Sequence, residues 1–474
     1  MKPIITLLFF ILMLGNLDAQ TFYKDVAPII YDNCTNCHRD GEIGPMSLAN
    51  YNEVKDWGGT IKYVTGIKYM PPWKPDPSFS TFLGESYLTD EEIQTIADWV
   101  DNGMEEGNPN DGPDAPVFPD GSQIGTPDLV LSFSEAFEHY GGNKDEYRNF
   151  VIPTGLTEDK EVAAIEVRPG NTQIVHHTLI SYDVSGEARN LDAQDQKYGY
   201  DGFGGFGVAD AFNVMFPGYV PGQKARLYQQ GLGRTLPANS DILLQMHYAP
   251  VPFPQTDSSS INIFFKKEPL EREVRSHIML PLPWTIGESF IIRPEEEKTF
   301  HGVYNVPEKI SMVSVTPHMH LIGTSWDVFA VSPSGDTTNL ISIPEWDFNW
   351  QGSFHFDRFK IIERGSKIHA YASYDNTSEN PLNPNNPPRT MEWGENTTDE
   401  MYFLPLDFVL YQEGDEDVVF NDGTTSTEDL GLRYPENKIY PLYPNPTNGI
   451  IKIGFSLGRA NKVSIRVLNL EGQL

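Results

Sequence analysis

The sequence predicts a multidomain protein in which a small all-α domain precedes two antiparallel β-sandwiches and a partial C-terminal β domain. Three observations support this fold class. Helical patterns occupy residues 21–116, short alternating β runs occupy residues 128–412, and segments rich in Gly, Pro, Asp and Glu separate the parts. At 474 residues the chain is long enough for several domains.

The N-terminal 20 residues are typical of a secretory signal peptide. One Lys precedes a largely apolar run from Ile4 to Leu14, and the small residue Ala19 stands before the expected cleavage point. This run is shorter than the roughly 20 residues that cross a bilayer. We therefore expect an exported protein that is not a transmembrane protein.

Two helices are predicted within residues 21–116. Residues 47–66 can form one helix. Residues 88–104 carry stronger signals, because Thr89 and Glu92 form a capping box and Gly103 ends the pattern. Residues 117–127, rich in Pro, Gly and Asp, are the predicted linker.

The β runs alternate polar and apolar residues and are separated by turn residues, a spacing that favours antiparallel sandwiches over a parallel sheet. The length suits two sandwiches, residues 128–268 and 269–412. Residues 413–437 form an acidic linker. Residues 438–474 begin another small β unit.

The formal net charge is −32, which opposes nucleic-acid binding because phosphates are neutralised by Lys and Arg. Cys34 and Cys37 are the two cysteines of the chain and belong to one motif, so we expect a disulfide-free protein. That motif is "CTNCH", in which His38 follows directly, and C-x-x-C-H is the attachment site of a covalently bound haem c. The expected export and the predicted helices around the motif favour a haem attachment site over a redox-active or zinc-binding pair of thiols.

A haem that carries electrons needs a sixth ligand besides the proximal His38, and a thioether raises its reduction potential. Met70 lies in a Pro-rich loop between the two predicted helices and is the first candidate. Met46 is the second, Met104 is a further one, and an open site is the remaining alternative.

Histidine and methionine recur at four places in the β region: "IVHHTLI" with His176 and His177, "LLQMHYA" with His247, "TPHMHLI" with His318 and His320, and "TTDEMYF" with Met401. Imidazole suits copper and zinc, whereas a thioether selects Cu(I). If residues 309–323 form a strand, His318 and His320 share one face and Met319 turns into the core. Neighbouring His176 and His177 point to opposite faces of a regular strand, so they can share an ion only if a bulge or a twist is present.

These motifs resemble the copper type II, ascorbate-dependent monooxygenases, the family of peptidylglycine α-hydroxylating monooxygenase and dopamine β-monooxygenase. That family has a His-His pair, a later His in a Q-x-H-Y strand, a His-x-His pair and a late Met in a D-E-M context. This chain has "VHH", "QMHY", "HMHLIG" and "TTDEM" in that order within residues 128–412. The resemblance implies two jelly-roll-like copper domains.

The resemblance also implies two copper sites with different roles. The electron-supplying copper would be held by His176, His177 and His247, and the catalytic, dioxygen-binding copper by His318, His320 and Met401. The family keeps its two coppers apart across a solvent-filled cleft. The implied reaction uses O2 to hydroxylate a C–H bond of a small-molecule or peptide substrate, with electrons from an external donor, ascorbate-like or another cytochrome.

Some positions depart from the family pattern. Thr316, Phe403 and Pro405 occupy places where the peptide-amidating members have Arg, Asn and Tyr. A peptide with a free carboxylate is therefore not expected as substrate.

The flanking domains fit the same interpretation. The chain resembles bacterial exported proteins that join a "CxxCH…MPPW" cytochrome to this copper region, and a tethered haem would raise the effective concentration of an electron donor. The segments "YPNPTNG" and "VSIRVLNLEGQL" resemble about half of a type 9 secretion sorting domain. We therefore expect a periplasmic, cell-surface or secreted protein.

Two other functions stay open at this stage. One is a haem and copper electron-transfer or copper-binding protein without hydroxylase activity, and the other is a surface binding module, which metal analysis would distinguish. The other histidines are expected to be structural or surface residues, with His369 as the one expected to support a metal ligand: His139, His277, His301, His355 and His369.

Overall fold

The computed structural model describes residues 20–116, 121–209, 211–223, 225–229 and 231–420, together with the short paired strands Lys438–Ile439 and Phe455–Ser456. Nearly all of the predicted signal peptide, part of each predicted linker and most of the C-terminal β unit lie outside these residues. The described chain is mostly β, as the sequence predicts. It forms two compact units, and residues 73–85 belong to the second.

The first unit, Met1–Pro72 with Ser86–Val117, contains the helices of the N-terminal region. A π-helical turn (Phe22–Val26) and a 3-10 turn (Pro109–Asp111) accompany four helices: α1 (Ala27–Asn33), α2 (Tyr51–Asp56), α3 (Gly58–Gly66) and α4 (Asp90–Asp101). Apolar side chains of the π turn, α1, α2 and α4 share one core. None of the helices in the described ranges has the length and apolar character that a membrane crossing requires.

The capping box of α4 is confirmed, because the Thr89 hydroxyl accepts from the Glu92 amide and the Glu92 side chain accepts from the Thr89 amide. The single helix predicted for residues 47–66 is wrong. Trp57 leaves helical geometry, with φ −102° and ψ 4°, and separates α2 from α3. The break is followed by Gly58, whose low helix propensity weakens a continuous helix at this point. A Cβ there would lie 2.5 Å from the Met104 sulfur, so the Met104 side chain would have to shift.

The second unit contains a first pair of sheets. One has the strand order β1-β10-β4-β7-β11 and the other β5-β8-β3-β6, with β2 and β9 paired separately. The bounds are β1 (Leu129–Ser132), β2 (Phe137–His139), β3 (Glu146–Pro153), β4 (Lys160–Arg168), β5 (Val175–Asp183), β6 (Tyr200–Asp201), β7 (Leu232–Leu236), β8 (Asp241–Tyr248), β9 (Gln255–Asp257), β10 (Ser260–Phe265) and β11 (Arg272–Glu273). A helix α5 (Glu187–Asp192) and a 3-10 turn (Ala211–Val214) lie in the connections. Side chains from both sheets form one core, among them Ile165 and Leu244.

A second pair of sheets follows, with strand orders β12-β21-β15-β18 and β14-β19-β16-β17, and β13 paired with β20. The bounds are β12 (Arg275–Met279), β13 (Ile291–Ile292), β14 (Glu296–Asn305), β15 (Ile310–Val315), β16 (Gly323–Val331), β17 (Thr337–Ile343), β18 (Phe354–Ile362), β19 (Lys367–Asn376), β20 (Met391–Glu392) and β21 (Leu404–Leu410). A short helix α6 (Pro283–Ile286) and a 3-10 turn (Asp415–Asp417) complete this part.

Residues 73–85 pack on this second sheet pair. Phe82 pairs with Phe356 of β18, and Trp73 lies edge-on to Phe354 with ring centroids 5.6 Å apart. Aromatic burial therefore joins this segment to the β-rich unit, although the sequence places it among the helices.

Candidate metal centre

The first set of predicted ligands is built on two neighbouring strands. In the pairing of β5 with β8, Val175 is opposite Tyr248 and His177 is opposite His247, so His176 is an extra residue in a β-bulge. Of the two distortions that would let adjacent histidines share an ion, a bulge or a twist, the bulge is present.

The bulge brings three ring nitrogens together. The Nδ1 atom of His177 lies 3.2 Å from Nδ1 of His176 and 3.3 Å from Nδ1 of His247. Each of the three residues offers a nitrogen, and these nitrogens lie within 4.8 Å of one another. Three imidazole donors at this spacing can converge on one metal ion.

Asp145 and Tyr147 orient His247. Asp145 Oδ1 is 2.7 Å from Nε2 of His247 and also accepts a 2.7 Å hydrogen bond from the Thr397 hydroxyl. Burial opposes the charge of Asp145, but the bonds from His247 and Thr397 outweigh it and hold its pKa below the usual value. Tyr147 stacks on His247 with ring centroids 4.2 Å apart and an angle of 8°. The ring is therefore fixed with Nδ1 directed at the other two histidines.

The second set of predicted ligands is His318, His320 and Met401. It lies at the ends of strands rather than within them. The predicted strand through residues 309–323 is wrong, because β15 ends at Val315 and His318 makes an isolated bridge to Phe403. Met319 is fully buried, as predicted. Pro317 removes one backbone donor here and restricts the chain, which accounts for the early end of the strand.

His318 and His320 nevertheless lie side by side, with perpendicular rings whose centroids are 5.1 Å apart. The Nδ1 atom of His318 is 2.5 Å from Oε1 of Gln351, and the Nδ1 atom of His320 is 3.2 Å from the Asp399 carbonyl oxygen. Both oxygen atoms act as acceptors, so each ring carries its proton on Nδ1. The Nε2 atoms are then the lone-pair donors available to a metal.

Met401 is brought to this set through its backbone. Its carbonyl accepts a 2.8 Å hydrogen bond from the Tyr374 hydroxyl, and two residues further on Phe403 exchanges backbone hydrogen bonds with His318. The side chain of Met401 is partly buried.

Glu400 is a supporting residue that the sequence analysis missed. One of its oxygens accepts from the amides of His320 at 2.5 Å and Met401 at 2.8 Å, and the other accepts from the amide of Ile322 at 3.2 Å. The side chain is fully buried, and this burial raises its pKa to about 8 against the lowering effect of the three amides. Its place beside Met401 in "TTDEM" was the signal available in the sequence.

All five histidines are neutral at neutral pH. Burial is the largest cause of the lowered pKa in each histidine. Neighbouring imidazoles lower the pKa further in every one except His247, where the hydrogen bond and the charge of Asp145 act in the opposite direction. The pKa falls to about 3 for His176 and about 4 for His318, and it is also lowered for His177, His247 and His320. Neutral imidazole is the form that binds metals.

The two sets adjoin one another. The rings of His177 and His318 have centroids 5.7 Å apart. Phe348 stacks on His176 at 4.9 Å and lies perpendicular to His320 at 5.6 Å. The family resemblance implies a solvent-filled cleft between the sets, whereas here their rings are neighbours.

Hydrogen bonds from one segment account for this approach. The Glu395 carbonyl accepts from the Tyr147 hydroxyl, Glu395 Oε2 accepts from the Gly204 amide at 2.8 Å, and Thr397 bonds to Asp145. The segment that precedes Met401 is therefore attached to the first sheet pair.

The haem-motif residues lie just after α1 in the first unit. Cys34 and Cys37 are not joined in a disulfide, and burial, with a smaller effect of Cys37, raises the pKa of Cys34 to about 12. The Nδ1 atom of His38 is 3.3 Å from the Met46 carbonyl oxygen. A Cβ at Gly44 would lie 2.8 Å from that same Nδ1, so this glycine lets the chain pass close to the imidazole.

The three methionines considered as sixth haem ligands have different positions. Met46 and Met104 are partly buried against the core of the first unit. Met70 is also partly buried, and its amide donates to the Val64 carbonyl at 3.2 Å.

Among the remaining histidines, His139 is buried and accepts from the Gly141 amide at 3.1 Å, and His277 stacks on Tyr304. His355 is half-buried, and desolvation lowers its pKa to about 4. His369, which was expected to support a metal ligand, has a different partner, because its Nδ1 lies 2.8 Å from Nε2 of His301.

Comparison with known proteins identifies the C-terminal segment. Residues 441–474 match the secretion system C-terminal sorting domain, so the chain carries a type 9 secretion signal and is exported to the cell surface or beyond. No curated protein matches the sequence.

Some solved structures are weakly similar to the chain. Allantoicase is 11% identical, with a TM-score of 0.15, covering 48% of this chain and 78% of its own. The infectious bursal disease virus VP2 subviral particle is 8% identical, with a TM-score of 0.17, covering 63% and 76%. Similarity at this level carries no argument about function, and the matched family describes the sorting segment alone.

Proposed function

We propose that this exported protein is a copper-dependent monooxygenase that hydroxylates a C–H bond of an organic substrate with O2, using electrons that pass through a covalently bound haem c. The observation that carries the proposal is the convergence of His176, His177 and His247, with their nitrogens within 4.8 Å, beside the His318 and His320 pair. Two jelly-roll-like copper domains would supply the two sets.

The donor atoms fit copper better than other metals. The first set offers three neutral imidazoles. The second offers two imidazoles, and Met401 precedes by two residues Phe403, whose backbone pairs with His318. Imidazole binds copper in either oxidation state, and a thioether favours Cu(I). Copper bound in this way supplies one-electron redox chemistry and O2 activation.

The residues of the chain have separate tasks in this proposal. Asp145 keeps the His247 tautomer in which Nδ1 is the ligand atom. Gln351 and the Asp399 carbonyl fix the opposite tautomer for His318 and His320, so their Nε2 atoms carry the lone pairs that would bind the metal. Glu400 holds the backbone on both sides of the second set.

A haem c in the first unit would be attached through Cys34 and Cys37, with His38 as proximal ligand. The His38 Nδ1 contact with the Met46 carbonyl supports this, because it leaves Nε2 available for iron. Met70 is the first candidate for the sixth ligand and Met46 the second. Since the Met46 carbonyl already contacts His38, the residue that would be the proximal ligand, this contact favours Met70 as the sixth ligand.

The test is to reduce the copper-loaded protein without oxygen and then admit O2 with candidate substrates. We expect two coppers per chain in the two sets and substrate-dependent oxygen uptake, which Met401→Ala abolishes. Met312→Ala is the matched control, because Met312 is a buried core methionine of β15. Copper that is bound and reduced without such uptake would instead indicate an electron-transfer or copper-binding protein, and uptake unchanged in Met401→Ala would contradict the assignment of the second set.

A further inference from the structure

A second histidine pair lies on the outward face of the sheet β14-β19-β16-β17. In β19, Ile368 and Ala370 are buried in the core, so His369 and Tyr371 face the other way and are partly exposed. His301 of β14 alternates with buried Phe300 and faces the same side. Phe329 of β16 does so as well.

The two histidines meet across the strand pair. His301 is opposite Tyr371 and His369 is opposite Val303, so the histidines are diagonal neighbours on one face. Nε2 of His301 lies 2.8 Å from Nδ1 of His369. One of these nitrogens donates its proton to the lone pair of the other, so a single proton lies between them.

Aromatic neighbours fix both rings. Tyr371 stacks on His301 with ring centroids 4.1 Å apart and an angle of 3°, and Phe329 stacks on His369 at 5.4 Å and 23°. Rings that are held before binding lose less conformational freedom when a ligand binds.

We propose that His301 and His369 form a binding site for a divalent late transition-metal ion, Cu(II) above all, distinct from the two sets described above. Two metal–nitrogen bonds of about 2.0–2.1 Å at a right angle place their nitrogens roughly 2.9 Å apart, which agrees with the separation found here. Tetragonal nitrogen and oxygen coordination is typical of Cu(II), which also binds such donors most tightly among the divalent ions. Water completes the coordination, because both rings are partly exposed.

Binding requires no net loss of protons. The metal replaces the proton shared by Nε2 of His301 and Nδ1 of His369, and that proton moves to the other nitrogen of the same ring. Both imidazoles stay neutral and each offers one lone pair.

The charge state of the pair suits this role. Burial lowers the pKa of both histidines, and each is lowered further by a neighbour, His369 acting on His301 and Lys367 acting on His369. Lys367 lies on the same face, and its positive charge disfavours a bound cation. Asp327 of β16 is opposite Tyr371 and faces the same side, so its negative charge offsets the positive charge of Lys367. The Asp327 carboxylate also accepts a 2.6 Å hydrogen bond from Ser342.

The test is a Cu(II) titration of the chelator-treated full chain, with bound copper counted by equilibrium dialysis and its coordination recorded by electron paramagnetic resonance. His301→Phe retains a ring on Tyr371 but removes the nitrogen, and we expect it to bind one copper fewer than the wild type. His369→Gln should lose the same equivalent, and the double variant should lose no more than either. His277→Phe is the control, because His277 stacks on Tyr304 at 3.7 Å and its described ring contact involves no second histidine.

The proposal is overturned if the wild type and both single variants bind equal amounts of copper, or if His277→Phe loses as much as His301→Phe. Circular dichroism checks that each variant is folded, and His369→Gln decides the matter if His301→Phe is not. Failure of the proposed monooxygenase would be seen separately, because oxygen uptake does not depend on this pair. Copper that is still bound in His301→Phe is attributed to the two inner sets, which are the first and second ligand sets described above.

Discussion

The two inner ligand sets are positioned by different parts of the fold. The first stands on paired strands, where a bulge places His176 beside His177 and the register places His247 opposite. The second stands beyond the end of β15, where His318 has one isolated backbone bridge to Phe403 and the side chains of Gln351 and Glu400 give further support. The difference teaches that strand register can bring three histidines together, whereas the other pair is held with the help of a buried carboxylate.

One segment serves both sets. Thr397 bonds to Asp145, which orients His247, and three residues later Glu400 holds His320 and Met401. Changes in this segment should therefore affect the sets in different ways according to which residue is altered.

The largest effect is expected from His177→Ala. His177 is the central member of the first set, since its Nδ1 contacts both other Nδ1 atoms. Loss of a residue that only supports a ligand costs about 10–100-fold in metal affinity, so loss of the central ligand should cost more than about 100-fold. Copper per chain in the inner sets should fall from two to one in dialysed protein.

The control for this variant is His139→Ala, which also removes a mostly buried histidine but one that accepts from the Gly141 amide instead. It should lose stability and retain its copper. Full copper occupancy in His177→Ala would show that the three imidazoles do not form one site.

Glu400→Ala should abolish copper binding by the second set and leave copper binding by the first set unchanged. Three amides lose their acceptor, and each unsatisfied buried group costs about 1–3 kcal/mol, so the unfolding free energy should fall by roughly 3 kcal/mol or more. Glu400→Gln retains one acceptor oxygen and should lose less. Thermal unfolding measures stability, and X-ray absorption of the reduced protein measures copper–sulfur scattering.

The informative result is the pattern across three variants. Copper–sulfur scattering should be lost in Glu400→Ala, retained in part in Glu400→Gln, and unaffected in His177→Ala. Equal loss of both coppers in Glu400→Ala would mean that the two sets form one cooperative unit.

Sequence patterns were sufficient to predict that most of the described chain is β and to predict several local features. The capping box of α4 depends on residues three apart, so it is visible in the sequence. The bulge at His176 followed from the need for two adjacent imidazoles to share a face. Local chemistry of this kind can be read from a short stretch of chain.

Interactions between distant residues could not be read in this way. Asp145 reaches His247 from more than a hundred positions away in the chain, and Phe348 fills the space between two histidines of different sets. The strand predicted through His318 ends early, before Pro317, and the residues that then hold His318 and His320, Phe403 and Glu400, come from a distant part of the chain. Such contacts depend on tertiary packing, which overrides local propensity.

A smaller effect is expected from Asp145→Asn. Asparagine keeps the shape and the possible bond to Thr397 but removes the charge that holds the His247 tautomer. Copper affinity of the first set should fall by about 10–100-fold, and the second set should not change. Competitive titration with a chelator measures the affinity, and Asp183→Asn is a control, because Asp183 accepts from Ser185 and Ala188 instead. Equal weakening in both variants would contradict a specific role for Asp145.

The smallest effect is expected from Tyr147→Phe, which separates attachment of the segment from orientation of the ring. Phenylalanine retains the stack on His247 and removes the hydrogen bond to the Glu395 carbonyl. Stability should fall by about 0.5–1.5 kcal/mol, the usual net value of one hydrogen bond, and copper affinity of the first set should be unchanged. If that affinity falls as far as in Asp145→Asn, then the contact of Glu395 with Tyr147 positions His247 as well, and strand register alone does not assemble the first set.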